Sequence, residues 1–158
     1  MDFPQYVIAI LAALQAGPSF GQAAEACGSA QELLFHCTFR NGEKQVGLCF
    51  SDGVVSYAFG ADFVRPELAM ARDVAEVDYT PFSWASNTIF ESVALTNSDT
   101  VYEVFTTIER GPSENPAKGG IVVTLPNKAP ITLTCDAGSV WPLDPFASIG
   151  QLSQILNR

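Results

Sequence analysis

A single histidine, His36, is all the imidazole in this 158-residue chain. A histidine-dependent triad would have to run through it, and no G-x-S-x-G elbow or other nucleophile motif accompanies it. There is no C-x-x-C pair, so the closely spaced ligands of a structural zinc site are missing. A glycine-rich phosphate loop and a calcium-loop spacing are missing too. Neither a metal nor a cofactor is expected. Basic residues are scarce: 8 Lys and Arg stand against 17 Asp and Glu, a net charge of −9. Such a surface repels nucleic acid and anionic lipid, and it favours either plain solubility or a basic partner. No N-x-S/T sequon occurs, and after the N-terminus no apolar run is long enough to cross a membrane.

What the chain does have begins at that N-terminus. "YVIAILAALQA", from Tyr6 to Ala16, is apolar except for Gln15, and "GPSFGQAAEA" follows with small residues and a Gly17-Pro18 break. The apolar run is too short for a stable anchor, and Ala24-Glu25-Ala26 has the A-x-A spacing of a signal-peptide cleavage site. Residues 1–26 are therefore expected to be a signal peptide, although no Lys or Arg precedes the apolar run. Residues 27–158 are expected to form a single exported domain, periplasmic or extracellular, with no transmembrane segment and a net charge of −7. Cleavage directly before Cys27 would also suit a lipoprotein, but Ala24 and Glu25 fit a lipobox poorly.

In an oxidising compartment an even set of cysteines reads as a disulfide framework. Cys37 and Cys49 are separated by eleven residues around the turn signal Asn41-Gly42, which predicts a staple across a hairpin. Cys27 and Cys135 are then left for each other. The patterning is β throughout: Leu33, Phe35, Cys37 and Phe39 alternate on one face, and Val46, Leu48 and Phe50 on the next strand. A Cys37–Cys49 pair sets these two apolar faces against each other, which requires a bulge near Gly47 or cover on both sides. Asp52-Gly53 turns into a third strand, "VVSYAFG". "FVRPELAMA" is an edge strand or a short helix opened by Pro66, and "VDYTPFSWASN" reads as a long loop. "TIFESVALTN" and "TVYEVFTTIER" form a long hairpin, and "IVVTLP" and "ITLTC" form another. Asp144 and Pro145 open an expected short C-terminal helix carrying Phe146, Ile149, Leu152 and Leu156. The fold class is all-β, mainly antiparallel: a small barrel or sandwich with that helix.

Chemistry is sparse on such a frame. Glu91, Asp99, Glu103 and Glu109 lie on or beside two adjacent strands and could converge as an acid/base pair. Strand alternation assigns them more simply to a solvated face. Tyr57, Phe59, Trp84, Phe105 and Trp141 are either a ligand-binding aromatic cluster or ordinary core. The most informative stretch is "RDVAEVDYTPFSWASN", where Asp73, Glu76 and Asp78 adjoin Tyr79, Phe82 and Trp84. Aromatic anchors among carboxylates suit a basic protein partner, while the same aromatics could equally close the end of a barrel.

"LFHCTFRNGEKQVGLC", "YAFG" followed by "PEL", "VYEVFTTIERG" and "GIVVTLPNKAPITLTCDAGS" together resemble a group of small exported, disulfide-containing, β-rich bacterial proteins of uncharacterised function. The resemblance spans most of residues 34–139. In architecture the chain is also similar to the periplasmic lysozyme inhibitors, which are small disulfide-tied antiparallel β proteins. Those families insert a serine and a basic residue into the enzyme's cleft; "SDGVVSYAFG" lacks the arginine, so no inhibitory residue carries over. Together these features predict a non-enzymatic, inhibitor-like binding protein for a basic envelope-active partner. The alternatives are a carrier of a small apolar ligand inside a barrel and a carboxylate-dependent hydrolase.

Overall fold

The computed structural model describes residues 26–85, 88–109, 111 and 117–141, with 82–85 described by their backbone alone. The apolar N-terminal run and the expected C-terminal helix lie outside these residues. Nine strands follow in order: β1 (Glu32–Phe39), β2 (Lys44–Ser51), β3 (Val54–Gly60), β4 (Leu68–Asp73), β5 (Asp78–Ala85), β6 (Thr88–Asn97), β7 (Thr100–Glu109), β8 (Ala117–Thr124) and β9 (Ile131–Thr134). They form two antiparallel sheets, β1-β2-β3-β4 and β5-β6-β7-β8-β9, each a simple meander. The sheets do not close into a barrel. They share one core instead.

Alternation decides which side chains fill that core. Val46 and Leu48 of β2, Val55 and Tyr57 of β3, Val93 and Leu95 of β6, Val104 of β7 and Ile121 of β8 are all buried in one cluster. Each fully buried aliphatic or aromatic side chain contributes about 1.5–3 kcal/mol by leaving water. β1 departs from strict alternation. Its register against β2 shifts between Leu33 and Phe35, so the consecutive Leu34 and Phe35 are both buried. The bulge falls in β1 and not at Gly47.

Tight turns set the hairpins. Asp52 and Gly53 both have positive φ (51° and 81°), the backbone of a two-residue turn whose twist matches its flanking strands. Gly120 meets a different constraint. A Cβ there would stand 2.3 Å from the Leu133 carbonyl oxygen and 2.9 Å from the Phe105 ring, so β8 can lie this close to β9 only without a side chain.

"VDYTPFSWASN" is not a loop, as the sequence suggests, but mostly strand β5. Pro81 survives there because β5 is the edge of its sheet, where a missing N–H leaves no partner wanting. The pairing with β6 slips between Thr80 and Ser83, around that proline. Of the two readings of the segment after Pro66, the strand is the observed one.

The disulfides are Cys27–Cys49 and Cys37–Cys135. Both expected pairings are therefore corrected. In the observed register Cys37 lies opposite Val46, and Cys49 is three residues further along β2. An odd offset places Cys37 in the core and Cys49 on the outer face, so the two sulfurs point to opposite sides of one sheet. The clash of apolar faces created by the staple is the physical reason that it does not form. Cys27, buried against the outer face, reaches Cys49 instead, and a sulfur engaged there is not available to a lipid thioether.

Cys37–Cys135 ties the first strand to the residue after the last, across 98 positions. Beyond it the chain runs along the free edge of β1: Asp136 N donates to Thr38 O (2.8 Å), and His36 and Trp141 exchange both backbone bonds (2.7 and 2.8 Å). Asp136 clamps this seam. Its carboxylate accepts from Asn41 N (3.0 Å), Gly42 N (2.9 Å) and Thr38 Oγ1 (2.8 Å). Desolvation is the largest single influence and raises its pKa, but the three donors together outweigh it and hold the carboxyl below its usual value.

Candidate binding site

The outer face of the four-stranded sheet is built from small residues. Gly47 lies opposite Ala58, and Ala58 opposite Ala69; in the next outward row Cys49, Ser56 and Ala71 are aligned in the same way. Their neighbours along each strand point inward, so these six lie on the outer face by alternation; Gly47 and Cys49 are buried there beneath the segments that cross them, while Ala69 and Ala71 are exposed. The result is a floor with almost no side-chain height. One wall is the segment from Ala26 to Gln31, held down by Cys27–Cys49; the other is the β3–β4 connection with Phe63 and Pro66. The groove between them is shallow and open, with a volume of about 440 Å³. A Cβ on Gly47 would meet Ala26 Cβ at 3.0 Å and the Phe63 ring at 3.3 Å, so glycine lets both walls close over the floor.

His36 belongs to this face, opposite Gly47. It points away from Cys37, as strand alternation requires, yet it is covered and not solvated. Its ring lies edge-on to Phe63 at 6.0 Å, and Nε2 pairs with Gln45 Oε1 at 3.2 Å. Burial lowers its pKa below 6.5, against a smaller opposite effect of Gln45. A lowered folded-state value means that the unfolded chain takes up a proton which the folded chain resists. Its contribution to stability is thus complete above pH 6.5 and is lost as pH falls through the folded-state value. Thermal unfolding followed from pH 7.5 to 5 should show a declining midpoint that His36→Gln flattens. An unchanged slope in that variant would remove His36 as the cause.

The acidic-aromatic stretch sits at one end of the same sheet. Asp73 closes β4 and caps the 3-10 turn Val74–Glu76, its Oδ1 accepting from Ala75 N at 2.9 Å. Asp73, Glu76 and Asp78 are all exposed, while Val77 is buried. Asp73 lies opposite Val54 in the outward row immediately beyond Ala71, so this carboxylate stands at the end of the groove. Tyr79 turns the other way. It packs on the core, and its hydroxyl donates to Glu91 Oε1 at 3.2 Å. Desolvation, and then the nearby Glu91 carboxylate, push the Tyr79 pKa upward. The side chains of Phe82 and Trp84 lie outside the described residues.

Glu91 corrects the solvated-face expectation. It is 3 % exposed because it shares the inward face of β6 with Val93 and Leu95. Glu103 and Glu109 occupy the opposite face of β7, and Asp99 is in the β6–β7 turn. Glu109 pairs with Lys118 at 2.5 Å. The strand carboxylates are therefore not gathered on one face. The aromatic residues are also dispersed: Tyr57 packs near Tyr102, Phe59 near Phe39, and Phe105 stacks on Phe90 on the outside of the other sheet. Between the sheets, where a carrier would hold its ligand, lie Leu34, Phe35, Leu48 and their neighbours.

The groove was missed in the sequence, although its signal is present. Small residues recur with period two in three successive strands (Gly47/Cys49, Ser56/Ala58, Ala69/Ala71), which is the pattern of a low face beside an apolar one. Comparison of the chain with protein-family models, curated proteins and solved structures finds no match.

Proposed function

We propose that this protein is a non-enzymatic binding module, exported to the periplasm or the cell exterior, which engages a basic envelope-active macromolecule in the manner of an inhibitor. The observation that carries the reading is the exposure of Asp73, Glu76 and Asp78 together on the short connection between the two sheets. Val77 and Tyr79 pin that connection to the core from below, so the carboxylates are presented on a fixed backbone. Phe82 and Trp84, which follow on β5, are assigned to the same proposed contact from the sequence alone. The net charge of −7 on residues 27–158 adds long-range attraction for a cationic partner and accelerates its arrival. Two disulfides suit an oxidising compartment, and no helix among the described residues is long and apolar enough to cross a membrane.

The test is retention of basic proteins from envelope extract on the immobilised, oxidised protein. The wild type should retain a basic component that elutes as salt rises, because exposed charge pairs are screened within about 8–10 Å near physiological ionic strength. Asp73→Asn/Glu76→Gln/Asp78→Asn should retain at least tenfold less. Equal retention by this variant, with unchanged melting, would overturn the assignment of the acidic connection.

A further inference from the structure

We infer that the groove on the outer face of the four-stranded sheet receives one aliphatic side chain of an extended polypeptide whose Lys or Arg residues, two to four positions away, reach Asp73. This rests on the proposed basic partner and deepens it by naming what the partner inserts.

Shape and charge both support this occupant. The floor of Gly47, Ser56, Ala58 and Ala71 is flat and offers no charge, and Phe63 and Pro66 give the wall an apolar surface. At about 440 Å³ the space lies within the range of sites that hold small organic groups, about 300–1,000 Å³. From Ala69 to Asp73 is four residues of strand, about 13 Å at 3.3 Å per residue. An extended ligand has the same rise, so a residue seated over Ser56 brings its second neighbour level with Asp73, and one seated over Ala58 its fourth. At that end Asp52 and Glu76 are also exposed, and the Gly53 carbonyl accepts from Val74 N (2.8 Å), tying the Asp52-Gly53 turn to the acidic connection. The one cationic side chain adjacent to Asp73 in sequence, Arg72, is directed to the carbonyls of Ala71 and Thr96. The combination of a low apolar floor with carboxylates at one end selects a side chain that is apolar at its tip and cationic in its flank.

The probe is the peptide acetyl-Leu-Ser-Lys-Ser-Lys-amide, titrated into the full oxidised protein and followed by amide chemical shifts. Shifts should cluster at Gly47, Ser56, Ala58 and Ala71. Affinity should fall at least tenfold when Leu is replaced by Ala in the peptide, and again when both Lys are replaced by Glu. Ala69→Leu, which fills the floor from an exposed position, should abolish the groove shifts while the melting temperature holds; Ala58→Leu provides a second such filling. If binding persists with shifts confined to residues 73–78 and no sensitivity to Leu, the groove assignment is overturned and the acidic-connection reading stands. If no peptide shifts any amide, the groove assignment is equally overturned. It is overturned as well if the groove amides shift on removing residues 142–158, or on raising protein concentration without peptide, because the occupant is then the chain's own C-terminus or a second copy.

Discussion

Replacing Cys37 and Cys135 together by alanine should bring the protein to the limit of folding. Closing a loop of about 100 residues restricts the unfolded chain by about 4–5 kcal/mol. That is comparable with the entire stability of a small domain, about 5–15 kcal/mol. Cys37 is fully buried, and the residue after Cys135 carries the Asp136 clamp, so the native side gives up packing as well. Replacing Cys27 and Cys49 opens a shorter loop, of 22 positions, and should cost about 3 kcal/mol. Urea unfolding of the two double variants checks the order. Peptide mapping under non-reducing conditions should recover 27 with 49 and 37 with 135. A larger loss from the Cys27/Cys49 variant would contradict the seam as the principal tie.

Phe35→Ala should be the most damaging single truncation in the core, at about 3–5 kcal/mol. Phe35 is 1 % exposed and comes from β1. Its ring approaches Gly119 of β8, where an added Cβ would stand 3.1 Å away, so it spans the space between the sheets. Removing it strands a cavity walled by backbone on one side, which has little freedom to collapse. Denaturant midpoints compared with Val55→Ala, a smaller truncation elsewhere in the same core, would measure this. A loss for Phe35→Ala no larger than for Val55→Ala would show that the sheets close over the gap.

Much of the architecture was legible because strands announce themselves by alternation. The β1–β2–β3 meander, the β6–β7 hairpin bounded by Asn97 and the β8–β9 hairpin around Asn127-Lys128 all follow from period-two apolar positions and turn residues. Three features depart from the sequence pattern for separate reasons. Spacing around a turn suggests one cysteine pairing, whereas register decides the face that each sulfur occupies. β5 was hidden by Pro81, a residue that edge strands tolerate and central strands do not. Alternation applied to the four carboxylates as a group puts Glu91 on the solvated face, whereas its own parity with Val93 and Leu95 puts it inside. As for the candidate site, the acidic residues could be read directly, but the groove could not. Its walls come from Ala26–Gln31 and Phe63–Pro66, segments without periodicity, and only the folded register brings them over the small-residue floor.

The bridge from β1 to the end of β9 also governs the order in which this chain can mature. Synthesis runs from the N-terminus, so Cys27, Cys37 and Cys49 are available before Cys135 exists. Among those three, 27 with 49 is native, while the two shorter loops, 27 with 37 (10 positions) and 37 with 49 (12 positions, around a tight turn), are both non-native. Closure probability scales with about the −3/2 power of loop length, which favours the 12-position contact over the 98-position one by a factor of about twenty. Chance encounter alone thus drives the nascent chain toward the wrong crosslink, and that crosslink sequesters both Cys37 and the intended partner of Cys27. Rapid maturation consequently requires thiol–disulfide reshuffling, and the proportion of correctly joined molecules should rise with the supply of an isomerase more than with the supply of an oxidant.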